Sequence, residues 1–189
     1  MKGFENDIQQ CIATLTNGGL ILYPTDTIWG IGCDATDPIT VEKIYQLKKR
    51  SDEKSMLILV ADESDISKYI AEPQSEIFEY LRKASKPTTV IYKRAKNLAK
   101  NLIGKDESIA IRICKDEFCK RLVRAFDKPI VSTSANVSGQ PAAKTFREIG
   151  HEIKAGVDYI VQYRQDDMNP SRPSTVIRWE NNRAIIVRE

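Results

Sequence analysis

The chain has 189 residues, 41% of them apolar, which suits one domain with a sizeable core. Its net charge is only +3, so composition alone does not call for nucleic acid, and no apolar run nears the roughly 20 residues that cross a bilayer. The polar start MKGFENDIQQ is neither a secretory signal nor an Arg-rich transit peptide, so the expectation is a soluble, cytoplasmic protein with no membrane partner.

In chain order, Phe4, Ile8, Ile12 and Leu15 share one helical face, and Gly18-Gly19 ends that helix. LILY (20–23) reads as a buried strand. At 37–49, Asp37 is a plausible N-cap, Pro38 takes the first helical position, and Val41, Ile44 and Leu47 form the apolar stripe. SMLILV (55–60) reads as a strand and PQSEIFEYLRKA (73–84) as a helix. TTVIYK (88–93) and SIAIRI (108–113) are strands flanking a basic loop or short helix. A helix follows at 114–126, a strand at 129–134 (PIVSTS), a short helix at 144–153 and a strand at 157–161. The tail, 173–188, reads as a hairpin turning at Asn181-Asn182. Some strand pairs lack an intervening helix, so the expected fold class is α/β with a mixed parallel and antiparallel sheet, in a single domain spanning 1–189.

Several mechanisms drop out early. The lone histidine, His151, sits in a polar stretch, which removes Ser–His–Asp and Cys–His catalysis and any His-rich metal site. Cys11, Cys33, Cys114 and Cys119 form no CxxC pair and fit no zinc spacing, so they read as buried reduced thiols, and no protein metal site is expected. Neither GxGxxG nor GxxxxGK[ST] occurs. What recurs is a strand bordered by small hydroxyls: PTDT after Tyr23, STSANVSG after Val131, and PST at 173–175. Alone, each is an ordinary turn or cap. Together with LKKR (47–50) they supply a Lys-x-Arg cation pair and a Ser-x-Asn donor pair, which suit a polyphosphate. Basic clusters at 48–54 and 83–105 read as solvated faces or as a surface for phosphates.

YPTDTIWGIGCDA (23–35), LKKR (47–50), IAIRI (109–113), STSANVSGQPA (132–142), PSTVI (173–177) and IIVR (185–188) occur in one order over nearly the whole chain. With these motifs the sequence resembles the YrdC-like family of threonylcarbamoyl-AMP synthases, in its short single-domain form. The resemblance implies a twisted mixed sheet with flanking helices and a basic concave face. The implied reaction joins ATP, L-threonine and bicarbonate into L-threonylcarbamoyl-AMP and pyrophosphate, with Mg2+ accompanying ATP. The product would pass to threonylcarbamoyl-transferase machinery acting beside the tRNA anticodon. By motif position, Lys48 and Arg50 would act on the phosphates as the catalytic pair. Ser108, Ser134, Asn136 and Arg188 would join them in holding ATP. Thr25, Arg112, Ser132 and Ser174 would hold threonine, and Gly30 and Gly32 would leave room for the ligand. Trp29 reads equally as pocket wall or core anchor. The chain departs from the family pattern at Ser51 and Cys114, where proline is usual, at SKPTT (85–89), and at LVA (59–61), which lacks a histidine. Two other readings stand beside this one: a non-catalytic module binding tRNA or double-stranded RNA, and an adenylate-forming enzyme with another carbamoyl acceptor.

Overall fold

The computed structural model describes residues 3–49, 56–170, 172–180 and 182–189, so Arg50, the 51–55 stretch and Asn181 of the hairpin turn lie outside the described residues. The helices are α1 (Glu5–Thr16), α2 (Pro38–Lys48), α3 (Ile66–Tyr69), α4 (Ser75–Lys83), α5 (Glu117–Phe126) and α6 (His151–Ala155). The strands are β1 (Ile21–Tyr23), β2 (Gly30–Gly32), β3 (Leu57–Val60), β4 (Thr88–Tyr92), β5 (Ile109–Ile113), β6 (Ile130–Ser134), β7 (Tyr159–Ile160), β8 (Thr175–Glu180) and β9 (Arg183–Arg188). They make one nine-stranded sheet in the order β7-β1-β2-β6-β3-β5-β4-β8-β9. Three pairs, β1–β7, β3–β5 and β4–β8, are parallel and the rest antiparallel, as the mixed α/β expectation required.

Local chemistry sets the helix ends. The Asp37 carboxylate accepts from the Ile39 amide at 2.9 Å, Pro38 opens α2, and Lys49 closes it in the left-handed region at φ 50°. Asp116 caps α5 in the same way, accepting from the Cys119 amide at 3.0 Å. Gly18, at φ +71°, follows α1 in the conformation that glycine adopts without a Cβ clash. The buried face of α1 is Ile8, Cys11 and Leu15; Ile12 is only half-buried, so Cys11 fills the core place that the sequence reading gave to it.

Asp7 is also buried in α1. Its carboxylate accepts from the Tyr159 hydroxyl at 2.6 Å and from the amides of Gln162 and Tyr163 at 2.9 and 3.0 Å, which ties α1 to the chain beyond β7. Charge-assisted bonds of this kind are the strong ones. Asp7→Asn, which keeps the shape and loses the charge, will destabilise the fold by about 1–2 kcal/mol in urea unfolding; an unchanged midpoint refutes the anchor.

The structure adds two things to the sequence reading. Residues 63–69 form a short 3-10 turn running into α3, and Gly30–Gly32 is a strand rather than an open loop. The 144–153 helix is split: a 3-10 turn at Phe146–Glu148, then α6, which begins at the exposed His151. All four cysteines are free and buried. Burial pushes the Cys33 thiol up to about 12 and that of Cys11 higher still. A contact from Cys114, together with burial, raises Cys119 well above its usual range. These three thiols stay protonated near neutrality and offer no nucleophile.

Candidate functional site

Successive strand residues face opposite sides of a sheet, and cross-strand partners face the same side. The register therefore assembles one face of this sheet. Gly30 pairs with Ser134, Leu57 with both Ser132 and Ala110, and Thr89 with both Arg112 and Val176. Ile91 pairs with Arg178, and Val176 with Arg188. Those residues line a cleft of about 390 Å³, closed at its edges by Thr27, Trp29, Met56, Asp106, Ser108 and Ser174. The opposite face carries Ile31, Ile58, Val90, Ile109, Ile111, Val131 and Ile177, all in the core. A buried sheet thus keeps one apolar side for packing and gives the other to hydroxyls and guanidinium groups.

Arg112 is the most constrained group in the cleft. It is 2% exposed, with Nη2 3.1 Å from Asp26 Oδ1 and 3.4 Å from Thr25 Oγ1. Its Nε is buried with no hydrogen-bond partner among the described residues. A guanidinium left one donor short is costly unless a ligand supplies the acceptor. Thr25 is held for this contact by its own turn: its hydroxyl donates to the Ile28 carbonyl at 2.8 Å, accepts from the Thr27 amide at 3.0 Å and lies 2.9 Å from Thr27 Oγ1. The hydroxyls after Tyr23 are therefore a strap that positions Arg112 as well as a set of donors.

At the β8 end, Ser174 Oγ lies 2.8 Å from Thr89 Oγ1, and Arg188 Nη2 donates to the Ser174 carbonyl at 3.3 Å. Ser108 donates to Asp106 at 2.6 Å, and this hydrogen bond holds the Asp106 carboxyl below the usual carboxylate range. Among the described residues, Asp106 is the one carboxylate lining the cleft, against three arginines, Arg112, Arg178 and Arg188. The balance favours an anionic ligand. Among the described residues no group of three or more His, Cys, Asp or Glu side chains could hold a metal ion.

Of the residues singled out from sequence, Ser108, Arg112, Ser132, Ser134, Ser174 and Arg188 line the cleft, and Thr25 joins it through Arg112. Arg50 lies outside the described residues. Lys48 and Asn136 are near Ser134 but turn into the loop that follows β6. The Lys48 amine donates to the carbonyls of Ser134 and, at 2.6 Å, Asn136. The Asn136 amide donates to the carbonyls of Val137 and Gln140 at 3.0 and 2.7 Å.

The two strand glycines have different tasks. A Cβ on Gly30 would meet Ser132 Oγ at 3.1 Å, on the cleft side. A Cβ on Gly32 would meet Tyr23 Cε1, Ile130 Cγ2 and the Val131 carbonyl at 2.7–2.9 Å, so Gly32 serves close packing rather than ligand space. Trp29 proves to be both wall and anchor: it lines the cleft, is 6% exposed, and stacks on Phe146 at 4.8 Å between centroids.

Asp26, Thr89, Asp106 and Arg178 were not singled out from sequence. For Arg178 a signal existed, since Ser174, Val176 and Arg178 alternate along one strand face. For Asp26 and Thr89 the reason is their cross-chain partners, which only the fold supplies.

The family model described as "Telomere recombination" (Sua5_yciO_yrdC) matches residues 13–189. A threonylcarbamoyl-AMP synthase of Photobacterium profundum is 32% identical over 160 residues, 83% of this chain and 86% of its own. The fold is similar to that of E. coli YciO, with a TM-score of 0.83 and 25% identity over 97% of this chain and 89% of that one. It is also similar to P. abyssi Sua5 complexed with L-threonine, with a TM-score of 0.86 and 21% identity over 97% of this chain. This chain spans about half of that Sua5, 54% of its length. Together with the motifs and the nine-stranded mixed sheet, these matches establish that the chain belongs to the Sua5/YciO/YrdC family.

Proposed function

We propose that the protein is an L-threonylcarbamoyl-AMP synthase, a nucleotidyltransferase that joins ATP, L-threonine and bicarbonate and releases pyrophosphate. The observation that carries this reading is Arg112: a buried guanidinium, half-satisfied by Asp26 and Thr25, with an Nε unpaired among the described residues, in a cleft lined by further arginines and serines. An amino-acid carboxylate satisfies such a fork in a way that a neutral ligand cannot.

In this reading Arg112 holds the threonine carboxylate, with Thr25, Ser132 and Ser174 placing the rest of the substrate. Ser134, Arg178 and Arg188 receive the nucleotide, joined by Ser108 and Arg50, with Lys48 and Asn136 acting through the loop beside Ser134. Bicarbonate takes up a proton and loses water to give CO2, which the free threonine amine captures as a carbamate, losing a proton to solvent. A carbamate oxygen attacks the α-phosphorus, and the bond to the β-phosphate oxygen breaks as pyrophosphate leaves. Positioning and charge cancellation do most of this work, so no catalytic histidine is needed. Mg2+ accompanying the triphosphate would offset its negative charge, with Asp106 lining the same cleft. The mixed anhydride product is labile, so an acyl transfer onto tRNA must consume it.

Pyrophosphate release from ATP and Mg2+ tests the proposal. Release that needs both threonine and bicarbonate is the expected result. Release without threonine would point to another carbamoyl acceptor. No release from folded protein, with salt-sensitive RNA binding in its place, would favour a binding module.

A further inference from the structure

The loop after β6 is built inside out for a phosphate site. Lys48 is 1% exposed, so its ammonium has to be satisfied by protein groups. Two of its three N–H donors go to the carbonyls of Ser134 and Asn136, across 86 and 88 residues of sequence. The loop answers by donating the Ser138 amide to the Lys48 carbonyl at 2.8 Å. The Asn136 carboxamide spends its donors on the carbonyls of Val137 and Gln140. Four carbonyls of the 134–140 segment are thereby occupied by cation or amide donors from within. Part of its own donor set is left over: among the described residues no hydrogen bond engages the Ser134 hydroxyl or the amides of Val137 and Gly139, whereas the Asn136, Ser138 and Gln140 amides are bonded within the protein. Gly139, at φ +85°, has no atom within 4 Å of where a Cβ would stand. Ser134 opens on the cleft.

We propose that Lys48 is a positioning residue: it grips the 134–140 loop by its carbonyls, so that the Ser134 hydroxyl and the Val137 and Gly139 amides meet the phosphates of the nucleotide. The inference rests on the nucleotide reading of the cleft given above, and it assigns phosphate contact to loop donors rather than to the buried ammonium. Backbone N–H groups presented by a turn can form an anion-binding concavity.

Hydrogen exchange of the nucleotide-free protein tests it, with Lys48→Met, which keeps the stem and removes the ammonium. Exchange over 134–140 should quicken by roughly tenfold or more while β4 and β5 stay protected. ATP binding should weaken by roughly ten- to a hundredfold, the loss of one or two hydrogen bonds, with threonine binding unchanged. Loop exchange that stays at the wild-type rate while ATP binding falls overturns the proposal, because the ammonium then acts on phosphate directly. Faster exchange with undiminished ATP binding overturns it too. Should Lys48→Met fail to fold, Asn136→Ala removes the second grip on the same loop and must give the same two changes. Wild-type protein that does not bind ATP refutes the nucleotide reading instead, and the loop exchange still reports whether Lys48 holds the loop.

Discussion

Arg112→Ala will raise the threonine requirement for pyrophosphate release by roughly a hundredfold or more and leave the ATP requirement within a few fold. The magnitude follows from losing a forked, charge-assisted contact of about 3 kcal/mol. Arg112→Lys will recover little of it, because a point charge cannot occupy both sides of a carboxylate and cannot reach Asp26 and the substrate together. Arg112→Ala also leaves Asp26, whose side chain is 8% exposed, without its ion-pair partner at 3.1 Å, so a loss of stability accompanies the loss of binding. Threonine and ATP titrations of each variant separate the two substrates. If the ATP requirement alone moves, Arg112 belongs to the nucleotide end of the cleft and the threonine assignment falls.

Gly32→Val will strongly destabilise the fold. Its first added carbon would stand 2.7 Å from Tyr23 Cε1, 2.9 Å from Ile130 Cγ2 and 2.9 Å from the Val131 carbonyl. The last of these is backbone within the sheet and cannot swing aside. Overpacking of this kind costs roughly 3 kcal/mol, or about 6–12 °C in melting temperature for a chain of this size. Gly30→Ala is the control two residues away. It meets a serine hydroxyl at 3.1 Å on the open side of the sheet, and its stability change will stay within about 1 kcal/mol. Equal melting temperatures for the two variants would refute the division of labour between these glycines.

Much of the fold was legible in the sequence because its causes are local. Asp37-Pro38 marks a helix start, since a carboxylate beside free amides and a ring that presets φ act within one turn. TTVIYK (88–93), SIAIRI (108–113) and PIVSTS (129–134) read as strands because their β-branched residues fit a pleated surface. The motif residues, too, mostly reached the cleft, with Ser108, Arg112, Ser132, Ser134, Ser174 and Arg188 lining it. β2 was not legible: Gly-Ile-Gly has weak strand preference, and it pairs only because β1 and β6 flank it.

By itself, then, the sequence determined the family, the mixed α/β class, the helix caps and most of the polar set. The tertiary structure alone decided where those polar groups point. Lys48 and Ser134 look like equals in a motif, yet one amine is buried against loop carbonyls while the other residue's hydroxyl faces the cleft. Asp26 and Thr89 became site residues only when β5 carried Arg112 to one and β8 carried Ser174 to the other. Burial forces each charge to find a partner, and in a nine-stranded sheet the partners come from strands far apart in the chain.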